Sequence, residues 1–354
     1  MKALVISFKF NVGHLSHLIA SYKQLRDLGI QSYLLINKKN IKYLNQECEI
    51  INKRKILFFK KIDYVLFWFP SVLNIFMILY LKLFHKSTII YVFHEPIFSY
   101  RDYFKLKLSF KDNVIFILAD FVNILTCCLS DEVILPSKIS YNIYKDKYYT
   151  FNKNHHLMPL IYDDELRSEI DFDQKQYFSY IGNISEHHGF SSYLTFVEAY
   201  LTNIDLKKIK FCIATKSSLG KYQNRILNLK KKYNDNLILK YGNPMDNDTI
   251  NHYYKISFAI WNAYNRSNQS GVLPKSFMFY TPVVTTDLKN SLLVNNENSI
   301  FIQSNENFEE ILDSLIKIES NRQIMFVSSR NTFCREFHYS TTNKVFSNIL
   351  KIKL

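Results

Sequence analysis

Short apolar runs rich in β-branched and aromatic residues alternate along the chain with longer segments whose apolar positions recur at helical spacing. Residues 2–8 read as a strand, 16–28 as a helix closed by Gly29, and 31–36 as a second strand. Further strands are predicted at 64–69, 88–93 and 132–135, with apolar helices at 72–84 and 114–129 between them. The rhythm restarts after residue 174. Strands are predicted at 177–181, 210–215, 237–240, 257–261 and 283–286, and helices at 191–200, 248–255, 308–318 and 341–352. Such alternation predicts an α/β chain built on parallel sheets covered on both faces.

A sequence of 354 residues exceeds what one core usually serves, so two domains are expected, 1–160 and 175–335, followed by a terminal helix within 336–354. The segment 157–174, with Pro159 and acids from Asp163 to Asp173, reads as the linker. Residues 64–84 are apolar enough to raise a bilayer-spanning helix as one reading. The break at Pro70 and Ser71 favours a buried strand followed by a core or membrane-facing helix.

Ligands of open parallel sheets bind where strands end and helices begin. Four such edges carry chemistry. Gly13, His14 and His17 lie in the first turn, where the glycine serves the turn and the histidines are equally surface, cap or site residues. His94 and Glu95 follow the strand 88–93; a histidine there can move a proton near neutral pH, and a carboxylate can orient it or hold a hydroxyl. Gly182, Asn183 and His188 follow the strand 177–181. The fourth edge is the stretch 268–287, NQSGVLPKSFMFYTPVVTTD. It reads as a polar loop, a helix opened by Pro274, a turn at Thr281 and Pro282, and a short strand. Peptide N–H groups at Ser270, Gly271, Val272 and Leu273 would favour an anion.

This stretch resembles the donor-binding segment of GT-B glycosyltransferases, particularly glycosyltransferase family 4. The resemblance implies a GT-B fold of two Rossmann-like domains facing a cleft, with the terminal helix of 336–354 returning to the first, a nucleotide-diphosphate sugar on the second and a glycan or lipid-linked acceptor on the first. It implies hexose transfer, with retention, in bacterial surface polysaccharide synthesis, with no cofactor and no metal. By the same resemblance His94 and Glu95 are catalytic, and Gly13, His14 and His17 lie beside the acceptor. Gly182, Asn183, His188, Lys216, Gly242, Asn243, Arg266, Ser270, Gly271, Val272, Leu273 and Lys275 are the implied donor residues. The chain also departs from the family. Ser267 and Lys275 stand where it carries paired glutamates, Tyr280 replaces its glycine before the threonine-proline turn, and Asn183 and His188 replace its diphosphate-binding arginine and lysine. These departures keep a non-catalytic GT-B subunit or glycan-binding scaffold open as the alternative. A sugar-nucleotide epimerase uses the same frame.

Charge modifies this picture. The formal net charge of +14 suits anionic partners, and with the apolar helices of the first half it predicts peripheral contact with an anionic membrane, at the cytoplasmic face of the inner membrane. No nucleic-acid motif accompanies it, so no nucleic-acid partner is expected. Five cysteines without paired spacing predict neither a disulfide framework nor a zinc site, which fits a reducing cytoplasm.

Overall fold

The computed structural model describes residues 1–10, 12–44, 48–93, 110–203, 208–243, 245–265, 271–286 and 295–352. Four of the expected site residues, His94, Glu95, Arg266 and Ser270, lie outside them. The chain divides into two compact units, Met1–Asp163 with His338–Leu354, and Asp164–Phe337. Each is built on a six-stranded sheet whose pairings are all parallel.

In the first unit the order is β2-β1-β3-β4-β5-β6, from β1 (Lys2–Ser7), β2 (Gln31–Ile36), β3 (Tyr64–Trp68), β4 (Thr88–Val92), β5 (Glu132–Leu135) and β6 (His155–Leu157). The central strands are buried on both faces, as their unbroken apolar runs predict. Helices α1 (Leu15–Asp27), α2 (Val72–His85), α3 (Phe110–Leu129) and α4 (Lys138–Lys147) connect them. At the end of α1, Gly29 adopts φ +76° while its N–H donates to Arg26 O and that of Ile30 to Leu25 O. These are the paired bonds of a left-handed helix stop. The apolar run from Tyr64 is a strand and a separate helix, and no described helix is long and apolar enough to cross a membrane.

The second unit contains β7 (Tyr177–Ile181), β8 (Lys210–Ala214), β9 (Leu237–Lys240), β10 (Ser257–Asn262), β11 (Val283–Thr285) and β12 (Ser299–Phe301), ordered β12-β11-β10-β7-β8-β9. Its helices are α5 (Phe190–Thr202), α6 (Gln223–Lys232), α7 (Asn247–Ile256), α8 (Val272–Met278), α9 (Phe308–Ser320) and α10 (Arg322–Thr332). The core is aromatic: Trp261, Phe178, Phe190, Tyr193 and Phe211 pack around β7, β8 and β10. Tyr193 donates to Phe178 O and Cys212 O, which lets a phenol sit in this core without an unpaired hydroxyl.

Two features exceed the sequence reading. Strands β6 and β12 are each only three residues long and lack the β-branched run that marks the equally short β11. Leu160, Ile161 and Tyr162, inside the expected linker, are buried. The last helix, α11 (Asn343–Ile349), belongs to the first unit, where Gln24 Nε2 on α1 donates to Tyr339 O and Thr342 Oγ1 and Tyr64 donates to Leu350 O.

Candidate functional site

The strand order of the second sheet reverses at β7 and β10. From β7 the chain moves outward through β8 to β9, then returns to the other side of β7 as β10. That reversal leaves a crevice at the carboxyl ends of the two strands. Gly182 leaves β7 with φ +143°, a backbone state that L side chains rarely adopt, and a Cβ there would lie 4.0 Å from Val272 Cγ2 at the start of α8. The first glycine turn and the helix of the 268–287 stretch thus meet at the crevice.

The turn that follows is tied down from several directions. Ser185 caps the short helix Glu186–His188, and Gly189 closes it at φ +65°. A Cβ on Gly189 would sit 2.5 Å from Ala263 O and 3.0 Å from Asn305 Nδ2. Only glycine allows this approach. Asn305 Nδ2 donates to Ala263 O at 2.9 Å and to Asn265 Oδ1 at 2.7 Å, and Asn265 Nδ2 donates in turn to Glu186 O at 2.7 Å. Trp261 Nε1 donates to His188 O at 3.1 Å, and the His188 ring stacks on Tyr264 with centroids 4.7 Å apart. The loops after β7, β10 and β12 therefore form one hydrogen-bonded platform.

Asn183 Oδ1 accepts from Ser217 Oγ at 3.3 Å, drawing in the loop that carries exposed Lys216. Glu186 takes Lys221 at 2.6 Å and the Tyr222 hydroxyl, and these bonds hold its carboxyl below the usual range. At the end of β10, Asn262 is 7% exposed; its Nδ2 reaches Thr285 Oγ1, while its Oδ1 has no hydrogen-bond partner among the described residues. An unsatisfied buried acceptor at a switch point is a place for a ligand donor. Gly242 and Asn243 are exposed at the end of β9, two strands from the crevice.

Leu273 and Lys275 point inward. Lys275 is 8% exposed, and its Nζ donates to Glu165 Oε2 at 2.6 Å and Asn251 Oδ1 at 2.8 Å. Asn251 Nδ2 closes the triangle on Glu165 Oε2. The ammonium is thus committed to a buried ion pair. Tyr280 keeps a left-handed backbone at φ +57° after α8, with its ring against Phe172 and under the Arg330 guanidinium.

In the first unit the sheet reverses between β1 and β3. Gly13 lies in the turn after β1, and the His14 ring stacks on Phe69 at 3.7 Å between centroids. Phe69 itself has φ +66°, unusual for an aromatic residue, and Asn74 Nδ2 holds its carbonyl at 2.9 Å. His17 is a core residue instead. It is 2% exposed, bonded through Nδ1 to Ile161 O, and set between Trp68 and Tyr162.

Sequence reasoning reached Gly182, Asn183, His188 and Val272 of the platform but missed the structural parts played by Glu186, Gly189, Trp261 and Asn305. Gly189 was visible as a glycine at a helix start. Asn305 carried no signal, because its partners are about forty residues away.

No protein-family model and no curated protein matches the chain. Among solved structures it is similar to a sucrose-phosphate synthase from Thermosynechococcus elongatus, with TM-score 0.69, 12% identity, and 99% and 98% of the two chains covered. It is also similar to Anabaena HepE in complex with UDP-glucose, with TM-score 0.68, 11% identity and 99% of both chains covered. A third likeness is a glycosyltransferase from Rickettsia africae, with TM-score 0.66, 13% identity and 99% of both chains covered. The two parallel-sheet units are the Rossmann-like domains of the GT-B fold that these structures share.

Proposed function

We propose that this chain is a glycosyltransferase that moves a hexose from a nucleotide-diphosphate sugar to a glycan or lipid-linked acceptor. The observation that carries the reading is the meeting of the Gly182 turn and the start of α8 at the β7/β10 switch point. The likeness to a structure holding UDP-glucose supports it. In this reading the diphosphate lies against Gly182, Gly271 and Val272, whose backbone can approach it closely. Ser270, Arg266, Asn183, His188 and Lys216 supply polar and cationic groups around it. Such groups stabilise charge growing on the departing diphosphate. Gly242 and Asn243 frame the base. Gly13 and His14 face the acceptor, with His94 and Glu95 positioning the reacting hydroxyl. Transfer proceeds with retention, in synthesis of surface polysaccharide.

The test is a calorimetric titration of nucleoside diphosphates and nucleotide sugars, run on the native chain and on Gly182→Val. Binding of one nucleotide diphosphate, lost in the variant, is expected, followed by nucleotide release when cell-derived glycolipid is added. Absence of binding by every nucleotide overturns the reading. Binding without release favours the non-catalytic subunit, which the burial of Lys275 at a family glutamate position also supports.

A further inference from the structure

Helix α2 is apolar on both faces. Asn74, Ile78, Leu81 and His85 turn inward, while Val72, Phe76, Leu79, Leu83 and Phe84 are 57%, 66%, 43%, 74% and 71% exposed. A helix that is hydrophobic all round is normally covered on every side. Its single lysine, Lys82, pairs with Asp131 at 2.7 Å, so the outward stripe carries no free charge. The neighbouring helix α3 extends the patch with Ile115, Leu118 and Phe121, each more than half exposed.

Beside this stripe runs a one-turn helix, Lys53–Ile56, capped by Asn52. It ends in Leu57 and Phe58, 64% and 84% exposed. Lys53, Arg54 and Leu57 share with Leu73, Phe76 and Tyr80 a groove of about 370 Å³. Lys53, Arg54, Lys55 and Lys60 are exposed and in no ion pair among the described residues. Cations without a carboxylate partner therefore border a bare apolar face, Lys53 with its ammonium 4.8 Å from the centre of the Phe8 ring.

We infer that this face of the first unit docks onto an anionic lipid bilayer. Phe58, Phe76 and Leu83 enter the boundary between headgroups and acyl chains, and Lys53, Arg54, Lys55 and Lys60 hold the lipid phosphates. Charge decides the occupant. A second copy of this chain, at a formal +14, would bring like charge to the same cations, whereas an anionic leaflet brings the opposite charge and an apolar interior. Length decides the geometry. The 14 residues of α2 reach about 21 Å, short of a hydrocarbon core of about 30 Å, so the helix lies along the surface. The inference stands independently of the transferase reading.

The full chain is floated with vesicles of equal parts phosphatidylglycerol and phosphatidylcholine, and with vesicles of phosphatidylcholine alone. Binding to the anionic vesicles, weakened by salt, is expected. Replacing Lys53, Arg54 and Lys55 by Gln should lower affinity about fivefold per charge removed. Phe76→Asp with Leu83→Asp should abolish binding at an unchanged melting temperature, since both side chains already face solvent. Phe76→Trp supplies a direct reading, because Trp68 and Trp261 are buried: its emission should be quenched by brominated lipid. Failure to float, flotation indifferent to the aspartates, or concentration-dependent dimerisation through this face without flotation would each overturn the inference.

Discussion

Replacing Gly189 by alanine tests whether the platform depends on backbone contact. The substitution has two separable costs. At φ +65° a side chain strains the backbone by about 1 kcal/mol. The new Cβ would also stand 2.5 Å from Ala263 O, where carbon and oxygen ordinarily approach to about 3.3 Å, and that oxygen already accepts from Asn305. Opening the contact by nearly an ångström costs about 1–3 kcal/mol as overpacking. The total is about 2–4 kcal/mol. Gly220 is the control: it has φ +52° in the same unit, but nothing lies within 4 Å of its Cβ position. Gly220→Ala should therefore cost only the backbone strain, about 1 kcal/mol. In a unit of this size each kcal/mol lowers the melting temperature by about 2–4 °C. Calorimetry should find Gly189→Ala clearly below Gly220→Ala, and nucleotide binding weakened only in the former. Equal melting temperatures would refute the close approach on which the platform rests.

Other expectations concern buried charge and pH. Lys175 is fully buried, with Nζ bonded to Tyr254 O, Ser257 O and Thr281 Oγ1; burial, aided by repulsion from Arg322, lowers its pKa well below the ordinary lysine value. The unfolded chain then binds a proton the folded one does not. Stability should be lost as pH falls below the unfolded value, by up to about 1.4 kcal/mol per pH unit, and urea midpoints from pH 9.5 to 7 should lose this slope in Lys175→Met. His85, whose two ring nitrogens are buried without partners among the described residues, has its pKa lowered by burial. Stability should therefore fall as pH drops below about 6.5, less steeply in His85→Leu, by the same midpoint measurement between pH 7 and 5. Lys275→Met leaves Glu165 charged and buried, at a cost of about 3–5 kcal/mol in chemical denaturation. The double variant with Glu165→Met should recover most of that loss.

The fold was legible because parallel strands buried on both faces must be written as largely unbroken apolar runs, and β1, β3, β4 and β10 are, with β7 interrupted only by Ser179. Helix ends at Gly29 and the turn at Thr281 were legible because local stereochemistry fixes them. The site was legible only where a turn demanded glycine. His17 illustrates the limit. Its place after a glycine turn resembled a site position, yet one helical turn carries it into the core against Trp68. Lys275 illustrates another, since its burial rests on Glu165, more than a hundred residues earlier. Such pairings are made by the tertiary fold and leave no mark in local pattern.

The pairing of Lys275 with Glu165 also limits what position 275 can accept. A glutamate placed at position 275 alone would set two carboxylates against each other in a site nearly closed to water, where one must lose its charge or the packing must open. An acid at position 275 is accommodated only where Glu165 changes first or with it, so the two positions behave as a single unit of substitution. A chimera that brings into this chain an α8 segment with an acid at position 275 would have to bring the partner of that position with it.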